Sequence, residues 1–153
     1  MRSFKSIIFY SLVTLFCACQ SSDLEKKIEY FDDGKIKLEY TLKNGKKHGE
    51  VKRYTNKGTL STVYLFKDGL QEGKTIHYDY NGKLVEIQYY EKGKKQLSDT
   101  IFNENGTIQS ITEFQDDKKH GFLRRYGENG DIQFEARFQM DSLIEVNGES
   151  VKK

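Results

Sequence analysis

Residues 30–54 read YFDDGKIKLEYTLKNGKKHGEVKRY, and the alternation inside this stretch decides the fold. Ile36, Leu38, Tyr40 and Leu42 alternate with Lys37, Glu39, Thr41 and Lys43, the period of two expected of a half-exposed strand. The KNGKKHG that follows is rich in turn formers, and EVKRY is a second short strand. Ahead of the first strand, DDGK supplies a glycine free to take positive φ where a tight turn needs it. The stretch is one β-hairpin.

Outward from this hairpin the same pattern recurs every 24 residues. Gly34, Gly58, Gly82, Gly106 and Gly130 mark the period without an insertion or deletion. Four residues before each glycine stands Tyr30, Tyr54, Tyr78, Phe102 or Tyr126; two after it stands Ile36, Leu60, Leu84, Ile108 or Ile132. Eight after it comes Leu42, Phe66, Tyr90, Phe114 or Phe138. Other columns decay: the glycine of Gly45, Gly69 and Gly93 becomes Asp117 and Asp141, and that of Gly49, Gly73 and Gly121 becomes Leu97 and Glu145. The last unit departs furthest, as a terminal cap does.

The expected fold is therefore all-β: an elongated, single-layer antiparallel β-meander of five tandem 24-residue hairpins. Two strands per unit at about 4.8 Å each give a sheet of roughly 48 Å. The chain has no proline to interrupt the ladder. One unit buries too little apolar surface to offset the entropy of ordering its backbone, so neighbouring units must complete it.

Residues 1–18 read as a targeting segment. Arg2 and Lys5 precede an apolar run, SIIFYSLVTLFCA, that is short for a membrane span. Ala18 before Cys19 resembles a bacterial lipoprotein signal, which implies acylation of Cys19 and attachment to a membrane. Phe16 and Cys17 depart from that pattern. Residues 19–27 are expected to be the lipidated N-terminus and its tether, and residues 28–153 the repeat domain. Gln20 is not the aspartate that resembles an inner-membrane retention signal, so the outer membrane of the bacterial cell envelope is the expected location. Both cysteines lie in the N-terminal segment, so the repeats contain no disulfide. Without residues 1–18 the chain has 23 basic and 23 acidic residues, a neutral balance that argues against nucleic acid as a partner.

One side of the expected sheet is uneven. At alternate parity the first unit offers Lys37, Glu39 and Thr41, the second Val63 and Leu65, the third Val85, Ile87 and Tyr89, and the fourth Ile111. Either the twisting sheet and the N-terminal segment cover these side chains, or a partner or second copy does. The candidate binding surface combines Val63, Leu65, Ile87 and Tyr89 with the aromatic column of Tyr54, Tyr78, Phe102 and Tyr126.

The recurring pattern Y-x-x-x-G-x-[LI], followed by an aromatic and a second glycine, resembles the bacterial variant of the MORN repeat from Tyr30 to about Phe138. That resemblance implies an open β-meander used for binding or scaffolding. It carries no catalytic residue. Some bacterial members are labelled antitoxin components, and MORN repeats elsewhere have been linked to membrane lipids.

No chemistry converges in the sequence. His48 and His120 read as loop residues that share a repeat position three units apart, roughly 29 Å on the strand spacing, and His77 lies on a strand. No metal or cofactor is expected from that spacing. Asp32 with Asp33 and Asp116 with Asp117 are turn residues, and no nucleophile or phosphate-loop motif occurs. Lys46–Lys47, Lys94–Lys95 and Lys118–Lys119 read as a solvated loop edge. The expectation is a non-enzymatic, lipid-anchored scaffold that binds another protein or a surface polymer; the alternative is an antitoxin or immunity protein that neutralises a toxin.

Overall fold

The structure, a computed structural model, describes residues 23–151, and these form one open antiparallel sheet of 14 strands. The chain runs through β1 (Leu24–Tyr30), β2 (Ile36–Lys43), β3 (Lys46–Lys47), β4 (Gly49–Tyr54) and β5 (Leu60–Lys67). It continues through β6 (Leu70–Gln71), β7 (Gly73–Tyr78), β8 (Leu84–Glu91), β9 (Lys94–Phe102) and β10 (Ile108–Gln115). The last strands are β11 (Lys118–Tyr126), β12 (Ile132–Gln139), β13 (Ser142–Val146) and β14 (Glu149–Ser150). Strands follow one another across the sheet in chain order, with β3 beside β2 and β6 beside β5. The meander of hairpin repeats read from the sequence is the fold.

Two kinds of turn hold the repeat. At one end, Gly82 donates to the carbonyl of Asp79 while Asp79 donates to that of Lys83, and the other four marker glycines close the same loop. A Cβ at Gly82 would meet nothing within 4 Å, so its φ of +81° rather than any lack of space selects glycine. At the other end, Asn44–Gly45, Asp68–Gly69, Lys92–Gly93, Asp116–Asp117, Met140–Asp141 and Asn147–Gly148 each have positive φ at both residues, the mark of a two-residue type I′ turn.

The aspartates that replace glycine in two of these turns gain a bond. Asp117 and Asp141 sit at φ +68°, and their carboxylates accept the backbone N–H of Lys95 at 2.7 Å and Lys119 at 2.8 Å. In return their own N–H groups donate to the carbonyls of those lysines, as Gly69 and Gly93 do to Lys47 and Gln71. A bond between neighbouring units offsets the strain of the left-handed backbone.

Register assigns side chains to two faces. Val51, Thr62, Thr75 and Ala136, the four buried residues among those described, all project from one side, here called the crowded face. The column of Phe66, Tyr90, Phe114 and Phe138 lies there too. Between its rings stand the second lysines of the basic pairs: Lys47 Nζ is 5.6 Å from the Phe66 ring centre, Lys95 Nζ 4.7 Å from Phe114, and Lys119 Nζ 5.2 Å from Phe138. These lysines were expected on a solvated loop edge. Instead they are half-buried strand residues whose stems and charges cover aromatic rings.

Two other placements differ from the sequence reading. β1 begins at Leu24, inside the segment read as tether, because Leu24–Lys27 pair with Tyr40–Lys43 and complete the edge of the first hairpin. His120 is a residue of β11 rather than of a loop, since Asp116–Asp117 turn the chain before it. Pairing also runs past Val146, through the Asn147–Gly148 turn into β14.

Candidate functional site

Every strand among the described residues belongs to the one sheet, so no described strand forms a second layer over the face opposite the crowded one. A single in-register row crosses this second face. Cα partners link Glu39 to Lys52, Lys52 to Val63, Val63 to Ile76, Ile76 to Ile87, Ile87 to Thr100, Thr100 to Ile111, Ile111 to Arg124 and Arg124 to Glu135. The middle five are apolar or, at Thr100, uncharged and β-branched. Each flank has one acid and one base. All nine are half-buried in a layer one side chain thick, so the row offers apolar surface without a core to absorb it.

The sequence-selected residues gather on this same face. Val63 and Ile87 are in the row. Leu65, 39 % exposed, flanks it and lies over Gly73, where a Cβ would come within 2.9 Å of its Cδ2. Tyr89 flanks it on the same side, with Lys74 Nζ 5.6 Å from its ring centre. Alternation along the strands directs Tyr54, Tyr78, Phe102 and Tyr126 to this face as well, and all four are half-buried. The Tyr54 hydroxyl donates to Glu39 Oε2 at 3.1 Å; burial, and then the Glu39 carboxylate, push its pKa up. Tyr126 borders a shallow depression with Ile108 and Ile111. Cys19 lies outside the described residues.

Sequence reasoning missed Ile76 and Thr100. They occupy a different repeat column from Val63, Ile87 and Ile111, and only the strand register interleaves the two columns into one row.

Polar groups concentrate in the middle of the crowded face. His77 Nδ1 lies 3.3 Å from Thr62 Oγ1, and its ring meets Tyr64 edge-on. Glu86 Oε1 accepts from Gln88 Nε2 at 2.6 Å, and Tyr90 donates its hydroxyl to Gln88 Oε1 at 2.9 Å. Lys95 Nζ pairs with Asp99 Oδ2 at 2.8 Å. Burial raises the Glu86 pKa, and the nearby Asp99 carboxyl raises it further, while Gln88 and His77 act in the opposite direction. An open groove of about 680 Å³ adjoins this cluster and is lined by Phe31, Asn56, Tyr78 and Tyr80 among others. Among the described residues no three His, Cys, Asp or Glu side chains are grouped to hold a metal.

The unit that contains the centre of the row also carries a recognisable signature. Residues 71–92 match the MORN repeat variant family. This MORN repeat begins at Gln71 in β6, takes in β7 and the Gly82 turn, and ends at Lys92 after β8. Ile76, Ile87 and Tyr89 lie within it, as do Thr75, His77 and Glu86 of the crowded face. No curated protein matches the chain.

Proposed function

We propose that this chain is a non-enzymatic scaffold of the bacterial envelope, held at the outer membrane by acyl groups on Cys19, on which another protein or a surface polymer docks. One observation carries the reading: a continuous apolar row, bordered by a column of tyrosines, on a sheet face that no described strand covers. Repeat chemistry supports it, because the same side-chain types recur unit after unit along a surface instead of converging on one point. Tyrosine suits such a surface, with a rigid apolar ring and a polar tip.

The test is intact-mass analysis of the full chain recovered from membranes, beside Cys19→Ser, combined with capture of bound material by the wild type and by Tyr54→Ala with Tyr78→Ala. A mature mass beginning at acylated Cys19, and capture lost without a change in melting temperature, is the expected result. An uncleaved soluble chain overturns the envelope reading and restores the antitoxin alternative.

A further inference from the structure

On the crowded face, the column five residues before each marker glycine reads Glu29, Arg53, His77, Ile101 and Arg125. Its arginines lie over rings of the following strand: Arg53 Cζ is 5.6 Å from the Tyr64 ring centre, and Arg125 Cζ 5.4 Å from that of Phe134. In the MORN-matched unit the column holds the shorter His77. The residue across the strand changes with it, for Arg53 faces Thr62 and Arg125 faces Phe134, whereas His77 faces the acid Glu86. His77 Nε2 stops 3.9 Å from Glu86 Oε2, beyond hydrogen-bond length. Lys95, on the next strand, is held by Asp99. Among the described residues no lysine or arginine forms an ion pair with Glu86.

The open groove of about 680 Å³ lies against this place. Thr62, His77 and Glu86 line it from the strands, and Phe31, Asn56 and Tyr80 from three successive loops. Among its described lining residues are two carboxylates, Asp79 and Glu86, and no lysine or arginine, in a chain with 25 basic and 23 acidic residues. Asp79 is engaged in its own turn, where Oδ1 accepts the backbone N–H groups of Asn81 and Lys83. Lys57 Nζ lies 5.9 Å from the Tyr80 ring centre but does not line the groove.

We propose that this groove docks an arginine side chain of a partner polypeptide, with its guanidinium on the Glu86 carboxylate and its flat face along the Tyr80 ring. The partner's arginine would do in this unit what Arg53 and Arg125 do in theirs. A guanidinium suits both walls, since its fork of N–H donors matches a carboxylate and its plane stacks on an aromatic ring, whereas a lysine ammonium has no such plane. It would also offset the burial that works against the Glu86 charge. The loops of Phe31 and Tyr80 stand four strands apart, roughly 19 Å, the reach of about six extended residues. A short extended segment therefore fits better than a lone side chain. The inference adds to the scaffold reading a docking point on the opposite face, and it states the chemistry of what docks there.

The test is fluorescence anisotropy of the detergent-solubilised full chain with three labelled probes: an Arg-Gly-Ser repeat peptide and its lysine and citrulline counterparts, at physiological salt. The arginine peptide is expected to bind best. Citrulline, with the same shape and no charge, and Glu86→Gln in the protein are each expected to weaken binding by roughly tenfold or more. Tyr80→Ala is expected to weaken it without a change in melting temperature, since Tyr80 is 71 % exposed. His77→Arg supplies the column's own guanidinium opposite Glu86 and is expected to block the groove in a folded chain. Glu91→Gln removes an exposed charge elsewhere and should leave binding as it was. Equal binding of arginine and citrulline peptides overturns the proposal. So does binding that Glu86→Gln and Glu91→Gln weaken alike, or that His77→Arg leaves intact. A chain that binds none of the peptides yet keeps its Tyr54-dependent capture refutes the arginine site alone and leaves the scaffold standing.

Discussion

At the scale of single residues the repeat shows where it is under strain. Leu97 occupies a position that is glycine in three other units, at φ +60° and 67 % exposed. A left-handed leucine costs about 1–2 kcal/mol, and the greater freedom of unfolded glycine returns roughly half of any gain. Leu97→Gly is therefore expected to stabilise the sheet by about 1 kcal/mol in urea titration; a loss of stability would mean the exposed leucine makes a contact that matters. Gly121 is the opposite case. Its φ is +102°, and a Cβ would collide with Glu113 Oε2 and lie 3.1 Å from Glu113 Cβ. Gly121→Ala should destabilise more than Gly82→Ala, where φ alone is at stake, and Glu113→Ala should recover part of the difference. Glu86 adds a pH dependence. Its raised pKa means the folded chain holds the proton more tightly than the unfolded one, so the associated stability is present in acid and is lost as pH rises through the folded pKa. Glu86→Gln, with no charge to desolvate, should raise the melting temperature at neutral pH and give no advantage below the ordinary glutamate range.

At the scale of the hairpin, the turn chemistry divides into parts that sequence displays and parts that only the neighbour reveals. Asn44–Gly45 and Asp68–Gly69 are legible as type I′ turns from the dipeptide alone. Asp116–Asp117 is not, because what holds it is a carboxylate bond to Lys95, 22 residues away. Asp117→Gly is expected to be close to neutral, because relief of the left-handed strain offsets the lost bond, and Asp117→Ala to cost about 1 kcal/mol, the bond lost with the strain kept; thermal unfolding of the two variants checks the order. The lysine pairs were misread for the same reason. Beside glycines they look solvated, but each covers a ring of the next unit, and Lys47 also covers Tyr40 of its own. The second-face patch was half legible. Period-two alternation exposes Val63, Ile87 and Ile111, while Ile76 and Thr100 join them only through a register that one strand's sequence does not contain.

At the scale of the whole molecule, each strand pairs with its neighbours in the chain and with nothing distant. Stability then comes from units and the junctions between them. Removing residues 83–106, one full period, should leave a folded, shorter sheet whose denaturant m-value falls by roughly a fifth; an unfolded product would show that the array has a single indivisible core. The same topology sets β1 and β14 at opposite edges of the sheet, with the ladder bonds running from one edge to the other. Tension between Asp23 and Val151 therefore loads those bonds end-on and in succession, rung by rung, instead of shearing many at once. Pulled between a bilayer and a distant load, the protein would behave as a ratcheted extension line. It would yield at low force and lengthen by about 80 Å with each period released, and reel back in as the hairpins re-form.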